Sequence, residues 1–494
     1  MNSTNFYIDL HGCAKNQTDA EIIVSFLEKE GFCYIQSPEN ADFILINSCG
    51  FIQSAKKESI NAIYELRAAY PNAKIILTGC LAERYSQSLY EDMPELDGVF
   101  GNGNLAEIAG FMKKYSKNTA RYVETFPQEG IVATERNLLF NYPGSAFVKI
   151  TEGCSNHCSF CAIPLIRGEL RSRPVAEIIE EIEALVKDGV YEINLIGQDI
   201  AAYGTGKEDG AIREEVTKAC AATNKTTLSP IAYLISKIAE IKGDFIVRPL
   251  YIHPDHFKKD ILTEMKKDSR FVPYFDIPFQ SGDDKIIKLM NRTRTAEKYQ
   301  KLISDIRKSY PEAVLRTTFL TGFPGETDDA SENTVKFLQN ISPDWAGCFP
   351  YSREEDTPAY SMKPAVPAKV AKKRAEAIEK IQSEITYQKL QKYVGKKLNV
   401  LIEEIIEMNP AEETKQAGTE DSDEGLAIGR TWFQAPEVDG CVVVRYERTF
   451  GTEAECVKPG NVVEVQILAV TGVDLDARFI SLKKSAKSVL KFII

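Results

Sequence analysis

Over residues 5–115, short apolar runs alternate with longer amphipathic stretches. Phe6–Leu10, Phe43–Asn47 and Lys74–Thr78 have strand length, and stretches near 18–30, 51–69 and 81–90 carry apolar residues at helical spacing. This alternation predicts a parallel sheet with helices on its faces. Residues 116–145 lose the periodicity and hold Pro127, Pro143 and Gly144, as a linker does. A second alternation runs from 146 to 350. It predicts strands near 146–151, 191–197, 245–251, 273–278, 313–320 and 345–350, with helices at 174–188, 230–241, 257–268, 283–309 and 328–340. Six βα units are too few for a closed eight-stranded barrel and predict an open one, with its site at the carboxyl ends of the strands. The polar stretch 205–229 reads as an insertion over the barrel mouth. Residues 368–393 have the spacing of a connecting helix. After them, Lys397–Glu404, Gly440–Arg445 and Val462–Val470 look like strands, with glycines at 425, 429, 440 and 460. That pattern predicts a small β-barrel.

The fold class is therefore α/β. An open parallel α/β sheet domain is expected over 4–116, a partial (βα)6 barrel over 140–382 and a small antiparallel β-barrel over 388–485. The length of 494 residues suits about three domains. No apolar run reaches the ~18 residues of a membrane span, and Met1-Asn-Ser-Thr-Asn-Phe6 lacks the pattern of a signal peptide. A cytoplasmic protein without membrane contact is expected.

There are 11 cysteines and only four histidines. An odd cysteine count in a long cytoplasmic chain argues for metal ligation or reactive thiols over disulfides. The strongest motif is Thr151-Glu-Gly-Cys154-Ser-Asn-His-Cys158-Ser-Phe-Cys161, just after the first barrel strand. Such a loop can give three thiolates to three irons of a cubane, leaving the fourth iron open to the amino and carboxylate groups of a methionine moiety. Zinc is the alternative. It wants four ligands, and His157 could be offered as the fourth, but a neighbour of ligands in so tight a loop rarely turns inward.

Cys13, Cys49 and Cys80 each lie within three residues of a strand end and before a helix. Loops at the carboxyl ends of neighbouring parallel strands converge, so these thiols are expected to meet around a second cluster. Helix N-termini there favour thiolate. The alternative is three small side chains packed under helices. Cys33, Cys220, Cys348, Cys441 and Cys456 form no comparable set and read as buried or incidental thiols.

The barrel loop resembles that of the radical S-adenosylmethionine superfamily, and two triads in this order resemble its methylthiotransferases. The resemblance spans nearly the whole chain and implies an N-terminal methylthiotransferase domain, a radical-SAM barrel and a TRAM-like barrel. It implies two 4Fe-4S clusters, held by Cys13, Cys49 and Cys80 and by Cys154, Cys158 and Cys161. One S-adenosyl-L-methionine would donate a methyl group, and a second would yield the radical that abstracts hydrogen from the substrate carbon. Phe160, Gly322 and Gly325 are implied near the adenosylmethionine, the glycines from Thr321-Gly-Phe-Pro-Gly325-Glu326. Gln198, at a strand end on the same face, could hold cofactor or substrate or simply cap a helix, as could Asp199 and Gln280.

One branch of the family modifies adenosine in transfer RNA. The other modifies an aspartate β-carbon on ribosomal small-subunit protein twelve. Gly12-Cys-Ala-Lys15-Asn16, Asn47-Ser-Cys49-Gly-Phe-Ile52, Arg167-Gly-Glu-Leu-Arg-Ser-Arg173, Leu315-Arg-Thr-Thr-Phe-Leu320 and Ala435-Pro-Glu-Val-Asp-Gly440 look like the protein branch. Phe279-Gln280-Ser281-Gly282 is closer to the RNA branch. Charge favours the first. The chain carries −11 overall, and residues 391–485 hold 11 Lys and Arg against 17 Asp and Glu. An acidic module suits a basic ribosomal protein better than RNA. A reducing electron donor such as flavodoxin or ferredoxin is implied as a further partner. A two-cluster electron carrier without catalysis is the alternative of another class. Arg167, Arg171 and Arg173 could neutralise a carboxylate or be surface charge, while His253 and His256, around Pro254, read as loop structure. Two four-iron clusters predict about eight irons and as many acid-labile sulfides per chain after anaerobic reconstitution; an iron and sulfide assay checks this.

Overall fold

The computed structural model describes residues 4–117, 120–222, 228–406, 424–448, 452–486 and 490–493. The first sheet has six parallel strands in the order Cys33–Tyr34, Asn5–Leu10, Phe43–Ser48, Lys74–Thr78, Gly98–Phe100 and Tyr122–Glu124. Three of these strands, Cys33–Tyr34, Gly98–Phe100 and Tyr122–Glu124, have two or three residues, and the last falls in the stretch read as linker. Apolar periodicity needs more than three residues to show, so the sequence concealed all three.

The register brings the strand ends level. Leu10 pairs with Asn47, and Asn47 with Thr78. Cys13, Cys49 and Cys80 follow these three by two or three residues, so adjacent strands about 4.8 Å apart deliver them to one edge.

The helix Ala14–Lys29 starts earlier than its apolar pattern indicates. Its polar face is buried as well: Lys15, Asn16, Gln17, Thr18, Asp19, Glu21 and Ser25 are all at most 8% exposed. The reason is its position between the first sheet and the barrel, where the barrel presents charged partners. Lys149 Nζ lies 2.6 Å from Asp19 Oδ1, and Arg136 pairs with both Glu21 and Glu181.

The central domain has the six expected strands, Ser145–Lys149, Glu192–Ile196, Ile246–Pro249, Tyr274–Asp276, Val314–Thr321 and Trp345–Pro350. They pair in parallel and in chain order as two triplets joined by the Val247–Phe271 bridge. The helix expected over 283–309 is two, Asp284–Leu289 and Ala296–Ser309, with separate caps from Asp283 and Thr295. The stretch read as an insertion contains the helix Gly210–Ala222, which buries Ile212, Val216 and Cys220 against the barrel's outer layer. Residues 223–227 of it lie outside the described residues.

The C-terminal strands Lys397–Ile406, Glu424–Arg430, Val442–Glu447, Asp474–Lys484 and Val462–Thr471 close a barrel in that order. All neighbours are antiparallel except Val442–Glu447 with Asp474–Lys484. This barrel docks on the amino ends of the central strands, opposite the cysteines. Arg430 Nη2 meets Glu192 Oε2 at 2.8 Å, Arg248 pairs with Glu192 and donates to Trp432 O, and Tyr274 Oη donates to Asp439 at 2.6 Å. The motif Ala435–Gly440 is thus a plug for the barrel floor. Glu192→Ala leaves Arg248 and Arg430 buried without their carboxylate and is expected to cost about 3–5 kcal/mol. Denaturant unfolding followed by tryptophan fluorescence checks it, Trp432 lying at this junction.

Candidate active site

At the carboxyl ends of the strands, a cavity of about 860 Å³ is lined by all six cysteines of the two triads. The first domain contributes Cys13, Cys49 and Cys80. Cys13 is the N-cap of Ala14–Lys29, and Cys80 lies in the first turn of Gly79–Asp92. Close approach here depends on missing side chains. Gly12 has φ +105°, and a Cβ on it would sit 3.3 Å from Cys49 Cβ; one on Gly50 would sit 2.6 Å from Cys80 O.

Asn16 ties the loops together. Its Nδ2 donates to His11 O and Ser48 O, and Asn47 Nδ2 donates to Asn16 O. Arg167, from the helix Ile163–Arg167 after the barrel's cysteine loop, crosses to this triad. Its Nη2 donates to Cys80 Sγ at 3.2 Å and Asn16 Oδ1 at 2.8 Å. Its Nη1 meets Glu152 Oε1 at 2.9 Å and Asp19 Oδ2 at 2.8 Å. Arg171 and Arg173 are also buried, on backbone carbonyls and on Glu181. The surface-charge reading of all three arginines is therefore corrected: each is an internal brace.

In the second triad, Cys154 N–H donates to Gly168 O and Cys161 N–H to Cys158 O, which curls the loop. His253 Nε2 lies 3.7 Å from Cys158 Sγ, and His253 Nδ1 accepts from Asp255 N–H. Nε2 therefore carries the proton and faces the sulfur. Burial, with Arg292 nearby, pushes His253 down to about 3, so the ring is neutral. Burial opposes the Asp199 carboxylate, yet His256 Nδ1 at 2.6 Å holds it below the usual range. Asp199 also accepts from Asn156 Nδ2 and His253 N–H, joining the cysteine loop to the loop after the third strand. Asp199, His253 and His256 lie close enough to ligate a cation, but these hydrogen bonds already occupy Asp199. The loop reading of His253 and His256 holds, with one addition, the contact of His253 with a cysteine.

Burial raises the free thiols, Cys80 and Cys154 each to about 12, with Cys49, Cys158 and Cys161 also raised. Metal binding must therefore displace protons, which ties occupancy to pH. Each donor set offers three cysteines to the cavity, the number a four-iron cluster with one open iron requires. His157 is exposed and turns to Glu169 at 3.6 Å, so the zinc alternative lacks its fourth ligand.

Phe160 and Gln198 also line the cavity. Gln198 Nε2 donates to Glu152, while its buried Oε1 has no partner among the described residues. Gly322 and Gly325 are not among the lining residues. Gly322 has φ +75°, and a Cβ there would meet Ala371 Cβ at 2.2 Å, so this turn serves packing against Ala368–Leu390.

Lys15, Tyr251, Arg292 and Thr318 line the cavity without having been singled out as site residues. Lys15 belongs to a quoted motif and was legible there. Tyr251 was not. It lines the wall with φ +63°, as Gln280 does with φ +69° and His157 with φ +49°. Left-handed backbone at residues other than glycine often gathers at functional sites.

A three-thiol loop at the carboxyl end of a parallel partial barrel, facing a second triad, defines a radical-SAM enzyme with two cluster sites. Family models agree: Uncharacterized protein family UPF0004 matches residues 5–101, the Radical SAM superfamily 148–338 and the TRAM domain 394–480. The chain is 49% identical to the ribosomal protein uS12 methylthiotransferase RimO of Treponema denticola, over 95% of this chain and 99% of that one. It is 36% identical to RimO of Thermosipho melanesiensis, over 90% and 94%. The chain belongs to the RimO family of radical-SAM methylthiotransferases. The radical S-adenosylmethionine methyltransferase TsrM of Kitasatospora setae shares the fold, with a TM-score of 0.50 and 14% identity over 72% of this chain and 75% of that one. Arg167→Met removes the donor to Cys80 and a cation from Asp19 and Glu152. It is expected to lower bound iron from about eight toward about four per chain, by loss at the first triad; iron analysis after desalting checks this.

Proposed function

We propose that this chain installs a methylthio group on the β-carbon of an aspartate in ribosomal protein uS12, with Cys13, Cys49 and Cys80 holding one 4Fe-4S cluster and Cys154, Cys158 and Cys161 the other. The observation that carries this reading is that both triads line one cavity. When bound, the clusters and adenosylmethionine supply reductive bond cleavage, the hydrogen-abstracting radical, the sulfur and the methyl group.

The chain's own residues hold and shield these groups. The three regions 4–116, 140–382 and 388–485 act as separate domains in this reading. The first holds the sulfur-donating site, the second the radical site, and the third braces the barrel floor. Phe160 packs on Ile286, Met290 and Phe323, which sets its place beside the second triad. With Gln198 it would flank adenosylmethionine. His253 places an N–H on Cys158, and Arg167 places one on Cys80. Hydrogen bonds to cluster sulfurs raise reduction potential, so both residues would tune their clusters.

The acidic chain suits a basic ribosomal partner. Flavodoxin or ferredoxin would supply electrons, and the work would take place in the cytoplasm, with the ribosome.

The test offers the reconstituted holoenzyme, with adenosylmethionine and a reductant, either small ribosomal subunits or transfer RNA. Mass spectrometry is expected to find one methylthio group on a uS12 aspartate. Modification confined to the RNA overturns the substrate assignment.

A further inference from the structure

Lys15 is a buried amine that makes no hydrogen bond or ion pair among the described residues. It lies in the first turn of Ala14–Lys29, is 8% exposed, and lines the cavity beside Cys13 and Cys49. Its Nζ sits 3.1 Å from the centroid of the Tyr251 ring.

The other buried cations nearby are committed. Arg167 is held by Asp19, Glu152, Asn16 and Cys80, Lys149 by Asp19 and Glu152, and Arg292 donates to the carbonyls of Pro278 and Phe279. Of the anionic groups that act on Lys15, Cys13 is committed to the first triad, Asp276 is engaged by Arg316 and Tyr251 N–H, and Glu152 by Lys149 and Arg167. An ammonium taken from water without a counter-ion is unfavourable unless a ligand brings one. A face of the Tyr251 ring answers part of that need, and the strained φ of +63° at Tyr251 is what puts the ring there.

We propose that Lys15 Nζ is the carboxylate subsite of the cavity and pairs with the side chain of the substrate aspartate. This rests on the aspartate reading above. The β-carbon carries both the hydrogens and the carboxylate, so holding the carboxylate fixes rotation about Cα–Cβ and decides which hydrogen faces the radical. Lys15 follows Cys13 by two residues on one helix, so the same turn that ligates the sulfur-donating cluster orients the carbon receiving the sulfur. The ammonium also rejects an amide in place of the carboxylate. The methionine carboxylate of adenosylmethionine is the other source of the same chemistry.

The test uses the full-length holoenzyme and two peptides copying the uS12 loop, one with the target aspartate and one with asparagine there. The wild type is expected to bind the aspartate peptide about tenfold more tightly, as one charge-assisted contact allows. In K15M that ratio falls to near one, through loss of aspartate binding, while K15R keeps most of it. K15Q is read if K15M takes up less iron. A wild type that does not discriminate, or a K15M or K15Q ratio equal to the wild type's, overturns the proposal. Weaker adenosylmethionine binding with the ratio intact assigns the ammonium to the cofactor and also overturns it. If the wild type binds neither peptide and modifies only RNA, the reading beneath the proposal has failed instead.

Discussion

The arrangement depends on charge buried at the seam between the first domain and the barrel. Asp19 comes from the helix after Cys13, Lys149 and Glu152 flank the end of the first barrel strand, and Arg167 ends the helix after Cys161. Two cations and two carboxylates satisfy one another there, away from water. A buried network of this kind contributes little net stability compared with apolar packing, but removing any one member leaves the others unpaired. It therefore selects one relative placement of the two domains. That placement puts the two triads on one cavity, with Arg167 touching a cysteine of the first while anchored beside the second.

The far end of the barrel is closed by a second network of the same character. Glu192 holds Arg248 and Arg430, Glu403 joins Arg430, and Asp439 accepts from Tyr274. The C-terminal barrel is thereby fixed to the amino ends of the strands, on the opposite side from the cavity. The excess of acidic residues in its sequence suits a basic partner at long range, but its contacts do not shape the reacting site.

Much of this was legible in the chain. The two cysteine patterns, six barrel strands and a terminal β-barrel follow from spacing and periodicity, because each is local or repeats over many residues. Strands of two or three residues, such as Cys33–Tyr34 and Tyr122–Glu124, left no such trace. The burial of the polar face of Ala14–Lys29 left no trace in the pattern, since a pattern cannot tell water from a charged neighbour. Arg171 and Arg173 stayed open between a carboxylate partner and surface charge for the same reason.

By itself the sequence determined which thiols stand in sets of three, and so which residues we assign to clusters with one open iron. Tertiary structure alone decided that the sets share a cavity, that His253 and Arg167 reach sulfurs, and that Lys15 makes no ion pair among the described residues while its amine faces the Tyr251 ring. The physical reason is that ligand sets are written in short-range spacing, whereas burial and partnership of charge arise between segments far apart in the chain, such as Arg167 with Cys80 and Lys149 with Asp19. Those exist only once the chain has closed on itself.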